Sequence, residues 1–172
     1  MDESSQVGLW RLPDYGQVKF NVDGSCSFTQ FFMGGGGVLR DHNGIWIAGF
    51  SSSYGFGSAI QAECLAMEDG LKLAWNLGFR NVIMECDCME LVQIINDNLP
   101  TRLTTVAGVV KRIRSWLKRD WLVQVSFVVR EVNMVADFLA KEGRTNSDGF
   151  KEWSSPPSAV LHLLDQDLAS FF

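Results

Sequence analysis

The chain predicts an α/β domain on a five-stranded mixed sheet with helices on both faces, and three observations carry that prediction. Three strand-like runs follow one another closely between residues 18 and 54. A long amphipathic stretch then precedes a fourth strand-like run, so the intervening helix acts as a crossover and sets that strand parallel to an earlier one. Two further helical stretches, a fifth strand and a last helix complete the order β-β-β-α-β-α-α-β-α.

Each element has a local reason. Val18–Asp23 alternates polar and apolar residues and then meets Gly24, the pattern of a strand running into a turn. Gly34–Gly37 begins the second strand, which continues as Val38-Leu39-Arg40-Asp41. His42-Asn43-Gly44 is a hairpin turn, because Asn-Gly accepts the positive φ such turns require. Ile45–Tyr54 is the third strand, and the three form an antiparallel meander. A helix is expected from Ser58, as N-cap, to Leu77, with Gly78 as its stop. Asn81–Cys86 is the fourth strand. Asp87-Cys88-Met89-Glu90 has the form of a capping box opening a short helix through Asn98, before Pro100 breaks the chain. A basic helix follows, then a strand over Trp121–Arg130 and a helix from Glu131 to Glu142, ending at Gly143. Pro156-Pro157 precedes Val160, Leu161, Leu163, Leu164 and Leu168, spaced as a short amphipathic helix that packs on the domain. The expected organisation is a leader or linker over 1–16, a domain over 17–145 and a tail over 146–172.

Composition narrows the function. With 172 residues of which 47% are hydrophobic, the chain can bury one sizeable core. It has no apolar run of the ~20 residues a membrane span needs, and its start, Met1-Asp2-Glu3-Ser4-Ser5-Gln6, lacks the charge and apolar block of a secretory signal. An intracellular protein is expected, in nucleus or cytoplasm, with Cys26, Cys64, Cys86 and Cys88 as reduced thiols. Cys86-x-Cys88 offers two thiolates at most, too few for a metal site. A net charge of −5 argues against wholesale binding to a polyanion. A local patch still can bind one. Lys111, Arg112, Arg114, Lys118 and Arg119 fall on one side of a helical wheel, opposite Val106, Val109, Val110, Ile113, Trp116 and Leu117. This is either a solvated helix face or a stripe that contacts phosphates.

Four carboxylates stand at the ends or faces of separate elements: Asp23, Glu63, Asp87 and Asp137. Carboxylates converging in this way form the oxygen-rich sites that hard divalent cations take. Some of them also have a plainer explanation. Asp87 can cap the following helix. Asp137 falls on a polar arc beside Lys141. Glu63 is the hardest to explain away, since it lies with Met67, Leu71 and Ala74 on an apolar face, where a carboxylate is costly unless paired.

The runs Val18-Lys19-Phe20-Asn21-Val22-Asp23-Gly24-Ser25, Gly35-Gly36-Gly37-Val38-Leu39-Arg40-Asp41 and Gln61-Ala62-Glu63-Cys64-Leu65-Ala66-Met67 carry a resemblance. So do Val82-Ile83-Met84-Glu85-Cys86-Asp87 and Arg130-Glu131-Val132-Asn133-Met134-Val135-Ala136-Asp137-Phe138-Leu139-Ala140-Lys141. With the element order, they resemble the ribonuclease H fold, and more narrowly the plant ribonuclease H-like domains related to retroelement reverse transcriptases. The resemblance covers about residues 17–145. It implies that Asp23, Glu63, Asp87 and Asp137 are catalytic ligands of Mg²⁺, for which Mn²⁺ can substitute, with Asp23 touching both ions. It further implies hydrolysis of the RNA strand of an RNA–DNA hybrid by a two-metal mechanism, by a monomer whose protein partners are unknown. Gly24, Ser25 and Asn133, with the five basic residues of the wheel, would then contact nucleic acid.

The sequence also departs from that pattern. The histidine that cellular enzymes often carry ten residues before the last Asp is Phe127 here, and neither His42 nor His162 obviously replaces it. Ala59 and Ile60 stand where an amide pair reads the minor groove, and Asp87 is followed by Cys88-Met89 rather than Ser-Gln. These departures keep a second expectation open, a module that binds nucleic acid or protein with weak cleavage or none.

Overall fold

The computed structural model describes residues 8–146, 148–169 and 171. Strands β1 (Val18–Cys26), β2 (Phe32–Arg40) and β3 (Trp46–Phe56) form the antiparallel meander. Helix α1 (Ala59–Asn76) leads to β4 (Asn81–Cys86), which lies parallel to β1. Helices α2 (Met89–Asn96) and α3 (Thr104–Leu117) precede β5 (Leu122–Phe127), a turn of 3₁₀ helix at Arg130–Val132 leads into α4 (Met134–Asn146), and β6 (Phe150–Trp153) and α5 (Leu161–Leu168) close the order. The sheet therefore has six strands, not the five expected, ordered β5-β4-β1-β2-β3-β6. The extra strand comes from the stretch read as a tail. Phe-Lys-Glu-Trp is too short to announce itself by alternation and forms by pairing along the free edge of β3.

The two sheet faces are covered differently. Phe20, Val22, Phe50 and Met84 meet Met67 and Leu71 of α1 and Val110 and Ile113 of α3 in the larger core. Val38, Val135, Leu139 and Val160 form a smaller one on the α4 side. The four-glycine run of β2 follows from this. A Cβ on Gly34 or Gly36 would lie 2.3 Å from the α4 backbone, so bare strand lets the helix rest on the sheet. Gly143 answers from the helix, where a Cβ would come within 2.5 Å of the Ser52 backbone. It therefore lies inside α4 rather than ending it, and the helix runs on to Asn146.

Helix α1 starts as expected, with Ser58 and Gln61 forming a reciprocal capping box. The box expected at Asp87 does not form. The N-cap of α2 is Cys88, which makes no side-chain cap bond.

A row of polar side chains is buried under α4 and the chain ends. Lys19 pairs with Glu85 at 3.1 Å and donates to the Arg11 carbonyl at 2.7 Å. Arg40, 1% exposed, lies 3.8 Å from the Trp10 ring centre and donates to Asp167 at 2.7 Å and to Asn21 Oδ1 at 3.1 Å. Asn21 also accepts from Trp10 Nε1 at 2.9 Å and donates to Glu85 at 3.0 Å. Residues from the leader and the tail thus both hold the central sheet.

Candidate active site

Successive residues of a strand point to opposite faces, so Lys19, Asn21 and Asp23 share one side of β1. Asp23 lies near the carboxyl end of that strand, and Asp87 directly follows the parallel β4. Crevices at the carboxyl ends of neighbouring parallel strands are the usual ligand sites of open sheets. Glu63 completes the group from the first turns of α1. The helix comes this close because of Gly24, where a Cβ would fall 2.3 Å from the backbone of Ala62 and Glu63. That glycine was expected to clear space for nucleic acid. It clears space for a helix instead, although its backbone still lines the cleft.

One carboxylate oxygen from each of Asp23, Glu63 and Asp87 lies within 4.8 Å of the others. Asp23 is 4% exposed. Burial, followed by the negative charges of Glu63 and Asp87, holds its carboxyl far above the usual range. Burial also raises Glu63, helped by the charge of Asp87. Glu63 Oε2 is buried with no hydrogen-bond partner among the described residues. Crowded carboxylates, Asp23 buried and Glu63 and Asp87 half-buried, with one buried oxygen unpartnered, are a costly arrangement that a divalent cation would relieve, so the donor set fits a hard cation.

Asp137 lines the same cleft of about 600 Å³ but stands apart from the three. It was expected on a solvated arc and is 8% exposed, with Lys141 at 2.9 Å and Arg130 at 3.5 Å. Arg144, also lining the cleft, donates to Ser25 Oγ at 3.1 Å. Arg130 and Arg144 were missed from the sequence. Lys141, four residues after Asp137, gave a readable i,i+4 signal. Arg130 did not, because the 3₁₀ turn rather than helical spacing folds it back.

The other expected contacts separate. Asn133 is corrected outright: it is 1% exposed, donates to the Val22 carbonyl at 2.9 Å and accepts from Asn21 at 3.1 Å, so it ties α4 to β1 and offers nothing to a ligand. On α3, Arg112 forks onto Glu68 at 2.7 and 3.1 Å. Arg114 donates to the Ile94 and Leu99 carbonyls, and Arg119 stacks on Trp116 at 3.6 Å. Three of the five wheel cations are thus engaged within the fold. Among the described residues Lys111 and Lys118 carry no such contact, and none of the five lines the carboxylate cleft. Phe127 lines a different pocket, with Leu9 and Val132. Among the described residues no histidine lines the cleft. Burial pushes the Cys88 thiol up to about 11 and raises Cys86 further, so neither is a ready thiolate.

Known proteins share this fold. Residues 21–143 match the family model described as reverse transcriptase-like. An Arabidopsis thaliana protein named for ribonuclease H is 36% identical over 162 residues, which is 92% of this chain but 25% of that protein, so the chain spans a quarter of its relative's length. Among solved structures, ribonuclease H1 of Halobacterium salinarum superposes with a TM-score of 0.71 at 23% identity, covering 76% of this chain and 99% of that one. The LC11 ribonuclease H1 in complex with an RNA/DNA hybrid gives 0.69 at 19% identity, over 74% and 96%. At those identities the structures speak to the fold, and the family model speaks to descent. The chain belongs to the reverse transcriptase-like family and carries a ribonuclease H-like domain.

Proposed function

We propose that the chain is a metal-dependent endonuclease that hydrolyses the RNA strand of RNA–DNA hybrids. The observation carrying this reading is the clustering of Asp23, Glu63 and Asp87 around an unpartnered buried oxygen, in a cleft rimmed by cations. Asp23, Glu63 and Asp87 would hold the first divalent cation, and Asp137 would join them on leaving Lys141. Mg²⁺, or Mn²⁺ in its place, would supply the charge that activates water and steadies the departing 3′ oxygen in a two-metal mechanism. The chain's own contribution is positioning. Gly24 brings Glu63 against β1. Asn133 bonds the Val22 carbonyl and, through its own carbonyl, accepts from the Asp137 amide at 3.0 Å, so one residue sets two carboxylates relative to each other. Arg130, Lys141 and Arg144 would meet phosphate oxygens beside the carboxylates. A monomer acting inside the cell, in a plant and descended from a retroelement, belongs to the same reading. The family description and the Arabidopsis relative support that origin.

The test is cleavage of a labelled RNA–DNA hybrid in Mg²⁺ and in Mn²⁺, with Asp23→Asn alongside. Cutting of the RNA strand by the unaltered chain alone is expected. The pairing of Asp137 with Lys141 favours one second reading, a module that binds nucleic acid or protein with little cleavage. Binding without cutting in either metal would select it.

A further inference from the structure

The lip of the cleft carries a feature that neither metal nor phosphate chemistry uses. The turn between β1 and β2 presents Phe28, which is 98% exposed and lines the same cleft as Asp23, Ser25 and Arg144. This turn is well fastened. The Ser27 amide donates to the Phe32 carbonyl at 2.9 Å, and the Phe31 amide to the Ser27 carbonyl at 3.0 Å. The Gln30 amide donates to Ser27 Oγ at 3.3 Å. Phe31 sits at φ 57, a left-handed conformation that bulky residues seldom adopt. Its carbonyl accepts from the Gly57 amide at 2.9 Å, fixing the turn to the end of β3. Behind it the rings of Phe32 and Phe56 stack with centres 4.4 Å apart. A strained, braced turn therefore holds an apolar ring out in water beside the carboxylates.

The neighbouring charges say what the ring can meet. Arg130, Lys141 and Arg144 on the same cleft call for a polyanion. In a continuous duplex both faces of each base are covered by its neighbours, so an apolar ring finds nothing to stack on. An unpaired nucleotide offers both phosphate and an open base face, and aromatic side chains take such bases regardless of sequence. Resting on the nuclease reading above, we propose that Phe28 is a stacking platform for an unpaired nucleobase flanking the scissile strand. The favoured substrates are then hybrids with an end, gap or junction, rather than uninterrupted ones.

The test compares two hybrids of identical paired sequence, one blunt and one carrying a short unpaired RNA extension. Binding is followed by fluorescence anisotropy in the 172-residue Asp23→Asn chain, so that neither hybrid is cut. The extended hybrid should bind about tenfold tighter, the scale of stacking one base on one aromatic ring. Adding Phe28→Ala should bring the ratio of the two affinities close to one, while Phe28→Trp should keep it. Unchanged thermal unfolding would show that the variants fold. A ratio near one before Phe28 is altered, or an unaltered ratio after it is, overturns the inference and leaves the nuclease reading standing. Failure to bind either hybrid overturns both. Competition by an acidic, phenylalanine-containing peptide and not by single-stranded RNA would assign the lip to a protein partner and overturn the inference.

Discussion

Two ends of one strand face treat charge in opposite ways. At the start of β1, Lys19 and Asn21 sit in a buried network where Glu85, Arg40 and Asp167 answer one another at 2.7–3.1 Å. Four residues after Lys19, Asp23 faces two further carboxylates and no cation within the cluster. The first region is buried, and in the second Asp23 is buried with Glu63 and Asp87 half-buried beside it, so both give up hydration of charged groups. The first recovers most of it through internal pairing, with Arg40 Nε left without a hydrogen bond among the described residues, and gains a fixed position for the chain ends. The second leaves it unrecovered, and is the part of the fold that a bound ion would stabilise.

Breaking one partner in each region should separate them. The largest change expected is in activity. Asp23→Asn should lower hybrid cleavage about a thousandfold or more, the scale of losing a group that stabilises transition-state charge. Its melting temperature should stay level or rise, because Asn is neutral without having to hold a proton that the unfolded chain would release. Asp167→Ala should do the reverse. It leaves Arg40 buried without its counter-ion, which should cost about 3 kcal/mol in denaturant unfolding, with the carboxylate cluster intact. If Asp23→Asn proves as destabilising as Asp167→Ala, the two regions are alike and the cleft is structural.

pH sharpens the contrast. Asp23 and Glu63 are held above the ordinary carboxylate range by burial first and by neighbouring negative charge second. The folded chain therefore keeps protons that the unfolded chain releases near pH ~4. Stability of the metal-free protein should fall as pH rises from about 4 towards those raised values. Asp23→Asn should flatten that slope, and added Mg²⁺, whose binding displaces the protons, should offset it increasingly at higher pH. Thermal melts at about pH 5 and pH 8, with and without Mg²⁺, check this.

Smaller effects are expected from the surrounding cations. Lys141→Met frees Asp137 from a partly exposed pair, itself worth less than ~1 kcal/mol. It should tighten Mg²⁺ binding by calorimetry several-fold, and no change would show that Asp137 takes no part in holding the ion. Replacing Lys111 and Lys118 with Gln should reduce the salt slope of hybrid binding by up to about 2, one per phosphate contact. An unchanged slope would leave Lys111 and Lys118 as solvated charges that take no part in binding.

Local signals account for much of this. β4 runs from Asn81 to Cys86 as its apolar block indicates, and α1 opens at Ser58 because capping is written in neighbouring residues. Glu63 stood out because a carboxylate on an apolar stripe is dissonant by itself. What escaped reading depends on distant partners. Gly143 looks like a helix stop until β2 and β3 lie against it. Asp87 looks like a cap until α2 is seen to start without it. Arg112, Arg114 and Arg119 share a wheel face with Lys111 and Lys118, yet their destinations are Glu68, two carbonyls of the preceding segment and Trp116. Periodicity shows which side of a helix a residue occupies and is silent about what it grips.

The short strand β6 has a consequence beyond architecture. By pairing with Gly49–Ser52 it covers backbone groups of β3 that would otherwise be open to any extended segment. A chain in which Phe150–Trp153 no longer paired, the rest of the tail staying in place, would present that edge as a template, flanked by the exposed rings of Phe56 and the uncovered Phe50. Such a chain should self-associate edge to edge and precipitate on concentration, even with every carboxylate of the cleft in place. Solubility here is in part a property of four residues far from the chemistry.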